Sequence, residues 1–152
     1  MYPALKAIDR VAHQGGIDPQ QIGSGATVSS GWVNMAYFGQ LEVLLMTGAI
    51  SAGGSVNIQL YQATSAAGAN AKVITGKTLP TALTYASNPT SAQAEINLKG
   101  EELDVTNGFA FVQAQVTATG AAAFAAASIL GHDPREGPAS LAIPASLVQL
   151  VG

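Results

Sequence analysis

From Ser55 to Ala63 the chain alternates without a break. Val56, Ile58 and Leu60 fall on one side, Asn57, Gln59 and Tyr61 on the other. A period of two makes one face apolar and the other polar, which is the requirement of a half-buried β-strand. Just upstream, residues 41–46 read Leu-Glu-Val-Leu-Leu-Met. This nearly continuous apolar run is expected to form a strand with both faces largely covered. Gly48 and Gly53-Gly54 punctuate the return between the two segments. Strands of this kind need a second layer to pack on, so they constrain the rest of the chain to supply one.

The remaining pattern supplies it. Residues 93–99 alternate again, with Ala94, Ile96 and Leu98 inward and Glu95, Asn97 and Lys99 outward. Asn107-Gly108 is a strong turn signal, and residues 109–117 follow as another clear strand. There Val112, Ala114 and Val116 share one face and Gln113 and Gln115 the other. Phe109 and Phe111 fall on the opposite parity from Val112. That implies a bulge, burial on two sides, or aromatic contact with something outside the domain. The Ala-rich run 121–130 has high helix propensity. Phe124, Ile129 and Leu130, following the preceding hairpin, favour a final strand. Shorter strand candidates lie at 26–29, 31–34, 72–75 and 83–85. Pro80 and Pro89 mark a long loop over 76–91, and residues 101–105 read as a helical turn or an irregular link. Trp32, the only tryptophan, is expected to anchor the core or its edge. Roughly seven or eight short strands with turns between them, and no long helix, indicate an all-β fold. The expected architecture is an antiparallel β-sandwich, jelly-roll or immunoglobulin-like, rather than an α/β fold. No repeat of about 20–50 residues is evident.

Both ends look different from this body. In residues 1–25, Leu5, Ile8, Val11 and Ala12 fall at helical spacing, enough for one or two turns. Gly15-Gly16 stop a helix, Asp18-Pro19 mark a turn, and Gly23-Ser24-Gly25 read as a flexible entry. From Gly131 the alternation ends in a loop containing Pro134 and Pro138. The apolar tail beyond it is broken by Pro144, which suits an edge strand or an extended arm. The expected division is therefore an N-terminal arm over 1–25, a β-sandwich over 26–131 and a C-terminal arm over 132–152. Leu5, Ile8, Leu141, Ile143, Leu147 and Leu150 are the candidate interface positions. They either reach a neighbouring subunit or pack on their own domain.

Composition narrows the function classes. The 152 residues are enough for one domain with its own core. Only 10% are charged, against roughly 25% in typical soluble proteins. Either the surface is a neutral Thr/Gln-rich one, or neighbours in an assembly cover much of it. Net charge is −3, with no basic run, so neither a phosphate-neutralising surface nor a polybasic membrane signal is present. No run approaches the ~18 apolar residues of a membrane span, and the opening Met-Tyr-Pro-Ala-Leu-Lys has no apolar core of a signal peptide. Asn88-Pro89-Thr90 has proline in the position that blocks a glycosylation sequon. There is no cysteine, hence no disulfide or thiol chemistry. His13 and His132 stand in opposite terminal segments and share a site only if the termini meet. Glu101, Glu102 and Asp104 read as a solvated acidic turn without the ligand spacing of a calcium loop. Gly23-Ser24-Gly25 lacks the third glycine and the strand–helix context of a dinucleotide fingerprint. No catalytic, metal-binding or cofactor-binding residues are expected, and no enzyme.

A resemblance adds to this reading. Gly31-Trp32-Val33-Asn34-Met35, Leu41-Glu42-Val43, the stretch from Gly48 to Val56 and the stretch from Gln62 to Lys72 carry its first half. Glu102-Leu103-Asp104-Val105, Asn107-Gly108-Phe109 and Gly131-His132-Asp133-Pro134-Arg135 carry the rest. Across residues 31–136 the chain resembles small β-rich structural proteins of tailed bacteriophage virions, in particular capsid decoration (cement) proteins. The resemblance implies a non-enzymatic protein on the outer capsid surface that bridges neighbouring capsomers. The implied partners are a major capsid protein and further copies of the chain, with no nucleic acid and no membrane. The implied location is the virion, after synthesis in the bacterial cytoplasm. Two other readings remain open: a tail, collar or fibre component, and a carbohydrate-binding sandwich in which Trp32, Tyr37, Tyr61 and Tyr85 would stack on sugars.

Overall fold

The computed structural model describes residues 6–136, 139, 143–145 and 147–149. A single helical turn, α1 (Ala7–Arg10), leads into β1 (Val11–Ile22). β2 (Thr27–Ser29), β3 (Val33–Asn34), β4 (Phe38–Ile50), β5 (Ser55–Ala63) and β6 (Lys72–Thr78) follow. The chain then forms β7 (Leu83–Thr84), β8 (Ala92–Lys99), β9 (Phe111–Thr119) and β10 (Ala123–Pro134). Two short 3-10 turns, Gly100–Glu102 and Val105–Asn107, lie between β8 and β9.

The strands form two antiparallel sheets. One runs β1-β10-β4-β8; the other runs β2-β9-β5-β6, with β3 paired to β9 and β7 to β5. Setting aside the two-residue strands β3 and β7, eight strands remain, four in each sheet. Among these eight strands the chain changes sheet at every step except from β5 to β6. That interleaving is the double Greek key of a jelly roll. An immunoglobulin sandwich would instead keep its first two strands in one sheet.

The core lies between the sheets and follows from the alternation. β5 turns Val56, Ile58 and Leu60 inward, beside Val112, Ala114 and Val116 of β9; the pairing sets Ile58 opposite Val116 and Leu60 opposite Ala114. The facing sheet supplies Leu41, Val43 and Leu45 from β4, Ile96 and Leu98 from β8, and Ala125, Ala127 and Ile129 from β10. The alanines on β10 leave room for the larger side chains across the gap. A smaller cluster of Ala12, Phe38 and Ala139 closes one end.

The expected arms are corrected here. Val11–Ile22 is a sheet strand of the domain, paired antiparallel with β10 over most of its length. Ile17 and Ile22 belong to the main core. The helical spacing yields one turn because Val11 is already extended, at φ −130° and ψ 131°. Gly15-Gly16 and Asp18-Pro19, which look like breakers, sit where the β1–β10 register shifts, so they mark irregularities within a strand. At the other end β10 continues past residue 131 to Pro134, with His132 opposite Gln40 and Pro134 opposite Phe38. The boundaries at 25/26 and 131/132 therefore both fall inside structure that belongs to the sandwich. Phe109 breaks parity because it precedes β9: Gly108 is left-handed at φ 80° and places Phe109 in the core before the strand begins.

Candidate functional site

The described residues offer surfaces and a cavity. Among them no group of three or more His, Asp or Glu side chains is arranged to hold a metal ion. The acidic turn is neutralised by lysines. Lys77 pairs with Glu102 at 2.8 Å and also donates to the Asn97 carbonyl, Lys72 pairs with Asp104, and Lys99 lies 3.9 Å from Glu101. The Lys77 hydrogen bond, with a second from the Lys99 backbone N–H, holds the Glu102 carboxyl below its ordinary range. The hydrogen bonds from Lys72 and from the Asn107 side chain do the same for Asp104. Lys72 also sits 4.1 Å from the centre of the Phe109 ring. This network pins the 3-10 segments against β6, which is a structural task. Gly23-Ser24-Gly25 is a tight connection: Gly25 donates to the Ala118 carbonyl and Ala26 to that of Gly23.

The outer face of the β1-β10-β4-β8 sheet is different. Alternation that sends Leu41, Val43 and Leu45 inward sends Glu42, Leu44 and Met46 outward, where they are half-buried. Register places Leu44 opposite Ser128, Met46 opposite Ala126 and Glu42 opposite Leu130. Phe124, 48% exposed, extends the row beyond Ala126. An apolar stripe of Leu44, Met46, Phe124, Ala126 and Leu130 thus crosses the two central strands. The edge strand β8 borders it with exposed Gln93, Glu95, Asn97 and Lys99. The opposite end of the stripe carries a hydrogen bond between His132 Nε2 and Glu42, at 3.0 Å. His13 comes to the same sheet, opposite Leu130, while His132 lies opposite Val11, so the strands that carry the two histidines are paired. Nδ1 of His13 is buried without a hydrogen-bond partner among the described residues.

Of the interface candidates, Ile8 is half-buried on α1, Leu147 is half-buried, and Ile143 is 36% exposed. Leu5, Leu141 and Leu150 lie outside the described residues. Ala139 is buried against Phe38 and Ala12, so this part of the tail packs on its own domain. The stripe residues were not among the candidates. Their signal is the apolar character of 41–46 on both parities, which predicts that both faces are covered without saying by what.

The aromatic candidates separate. Trp32 and Tyr37 line one cavity of about 680 Å³, together with Gln14, Asn34, Glu136 and Ile143. Trp32 is half-buried, with its indole against Gly68: a Cβ on that glycine would fall 2.8 Å from Nε1. Tyr61 lies on the outer face of the other sheet, in a shallow depression with Gln59, Gln115 and Thr117. Tyr85 is exposed beside β7.

No family model and no curated protein matches this chain. Solved structures do. A chain of infectious bursal disease virus, Gx strain, superposes with a TM-score of 0.57 at 13% identity, over 92% of this chain and 38% of the other. The Gt strain structure gives 0.54 at 13% identity, over 92% and 37%. The VP2 subviral particle of the same virus gives 0.51 at 14% identity, over 87% and 35%. The chain spans little more than a third of the length of these chains. At such identities the likeness is one of fold, and it agrees with the jelly-roll strand order.

Proposed function

We propose that this chain is a non-enzymatic structural component of a virus particle. In this reading it is a decoration protein on the outer surface of a tailed-bacteriophage capsid, bridging neighbouring capsomers and contacting the major capsid protein and other copies of itself. The observation that carries the proposal is the apolar stripe Leu44–Met46–Phe124–Ala126–Leu130 on the outside of a sandwich whose core is already closed. A continuous apolar row on a solvent-facing sheet marks a surface that a partner covers. The low charge agrees, since little electrostatic repulsion opposes packing among copies. The jelly roll is a fold that recurs in capsid domains, although a fold by itself assigns no role. The resemblance over residues 31–136 supplies the phage context and the outer position.

The mechanism is mass action. A protein that binds the assembled lattice and not its separated subunits stabilises the lattice, and contacts to two capsomers at once multiply weak interfaces. The test mixes purified protein with undecorated expanded capsids and measures co-sedimentation and capsid melting. Binding with a raised capsid melting temperature is expected. Leu44→Glu and Leu130→Glu place charge on the stripe without touching the core, and each should abolish binding while leaving the protein's own unfolding midpoint nearly unchanged. Failure of the unaltered protein to bind at micromolar concentration, or full binding by both variants, would remove the basis of the proposal. Copy number separates the shell from the tail: hundreds per virion fit the former, a dozen or fewer the latter.

A further inference from the structure

The cavity beside Trp32 is not used by that function, and its lining is specific in chemistry. Trp32 and Tyr37 give it two aromatic side chains, Gln14 and Asn34 two amides, and Glu136 one carboxylate; Ile143 closes the apolar part. Among the described residues no lysine, arginine or histidine lines it. We propose that this cavity binds a neutral saccharide.

The reasoning is one of matching groups. About 680 Å³ lies within the range of small-molecule sites, roughly 300–1,000 Å³. A sugar ring presents an apolar C–H face and a rim of hydroxyls, each both donor and acceptor. The first fits the face of an aromatic ring, as Trp and Tyr pair an apolar body with a polar handle. The second needs a mixture of donors and acceptors. The Asn34 carbonyl oxygen already accepts the Ala36 N–H at 2.9 Å, so its amide N–H groups are the part available to a ligand. Glu136 is exposed and contributes acceptors only. A phosphate or carboxylate ligand would meet this carboxylate with no cation to balance it, which disfavours an anion. Rigidity is also built in on the Trp32 side. Gly68 stands at φ +80° and lies against the indole. The loop around it is held by Thr64, which donates to the Ala69 carbonyl and accepts from Asn70. Tyr37, 51% exposed, is the side chain that a bound ring would cover.

The single tryptophan of the chain makes the test direct, because all indole emission reports on the cavity wall. The intact protein is titrated with the methyl glycosides of glucose, galactose, mannose and N-acetylglucosamine, with neutral oligosaccharides built from them, and with choline. A saturable change in Trp32 emission with at least one neutral sugar, in the millimolar range or tighter, is expected. Tyr37→Ala should weaken binding of that sugar by about tenfold or more, and Glu136→Gln should weaken it less. Tyr85→Ala, at an exposed tyrosine outside the cavity, should bind as the unaltered protein does. The proposal is overturned by flat emission with every neutral sugar, by a response to choline alone, or by equal losses in Tyr37→Ala and Tyr85→Ala. If Tyr37→Ala fails to fold, Glu136→Gln against Tyr85→Ala decides in its place. The capsid-binding proposal rests on Leu44 and Leu130, outside this cavity, so either proposal can fail while the other stands.

Discussion

At Gly120 a single added methyl group would run into backbone. Two links carry the chain between the sheets side by side, one from β4 to β5 and one from β9 to β10. They are tied by a hydrogen bond from Ser51 N–H to the Ala122 carbonyl, and Gly54 N–H closes the β4–β5 link on the Ser51 carbonyl. Gly53 and Gly120 sit in these links, both at φ +79°. A Cβ on Gly53 would meet nothing within 4 Å, whereas one on Gly120 would lie under 3.0 Å from the Gly53 carbonyl oxygen and 3.3 Å from its carbon. Gly53→Ala therefore carries only the left-handed backbone cost, about 1–2 kcal/mol. Gly120→Ala carries that cost plus a clash between two backbones, neither of which can rotate away as a side chain would. Moving the links apart strains their hydrogen bonds, each worth about 1 kcal/mol, so a total of about 3–4 kcal/mol is expected. Urea unfolding followed by Trp32 fluorescence measures both variants, and an unchanged slope would show that stability alone has altered. Equal midpoints for Gly53→Ala and Gly120→Ala would refute the reasoning, because the close approach of the two links would then not exist in solution.

Three further outcomes are expected. Deleting residues 1–22 removes β1 and with it the core side chains Ile17 and Ile22, about 2–3 kcal/mol of burial each besides a whole sheet edge; near-ultraviolet circular dichroism should show loss of fixed tertiary structure, and a native spectrum would return this segment to the status of an arm. Phe38→Ala empties a fully buried position against Gly131 and should cost about 3–5 kcal/mol, read from the same urea midpoint. Glu102 and Asp104, whose carboxyls are held low chiefly by Lys77 and Lys72, stabilise the fold when ionised. That contribution is complete above the unfolded carboxylate pKa, about 4, and fades as pH falls through the lower folded values. Combining Glu102→Gln with Asp104→Asn should flatten the acid limb of the stability curve, and an identical acid limb in the double variant would rule the network out.

The body of the fold was legible because its strands bury one face and wet the other. Ser55–Ala63 was read with its observed bounds, and residues 93–99 and 41–46 were placed inside longer strands. For Ser55–Ala63 and 93–99 the alternation follows from a core on one side only, whereas 41–46 stands out by being apolar on both parities. β1 was not legible for the opposite reason. Its run Val-Ala-His-Gln-Gly-Gly-Ile-Asp-Pro-Gln-Gln-Ile shifts register against β10 twice, so the inward positions Ala12, Ile17 and Ile22 fall five apart and switch parity, off the strand period of two. Gly15 at φ +135° and Asp18-Pro19 are breaker signals in sequence, yet in an edge strand each is tolerated. Pro19 lies outside the paired positions, where a missing N–H removes no ladder bond. The closing partner is β10, more than a hundred residues away, and no local pattern encodes that distance.

The surfaces were harder still, and the reason is physical. A sequence shows that Leu44, Met46 and Leu130 are apolar, but apolar residues on both parities of a strand have two explanations: a second layer from the same chain, or one from another molecule. Choosing between them requires knowing what covers each face. In this sandwich the inner face is closed by the opposing sheet, whereas β8, on one side of the stripe, sends exposed polar side chains outward. Among the described residues these outward apolar side chains are left half-exposed on their own sheet. The proposed function takes the second explanation, and with it the weight placed on the terminal segments moves to the sheet they flank. The cavity has a similar history. Trp32, Tyr37, Tyr61 and Tyr85 were indistinguishable as isolated aromatics, and only the fold brings two of them together with amides and a carboxylate. A single tryptophan expected to anchor the core edge does so through Gly68, and in that position it also lines a cavity.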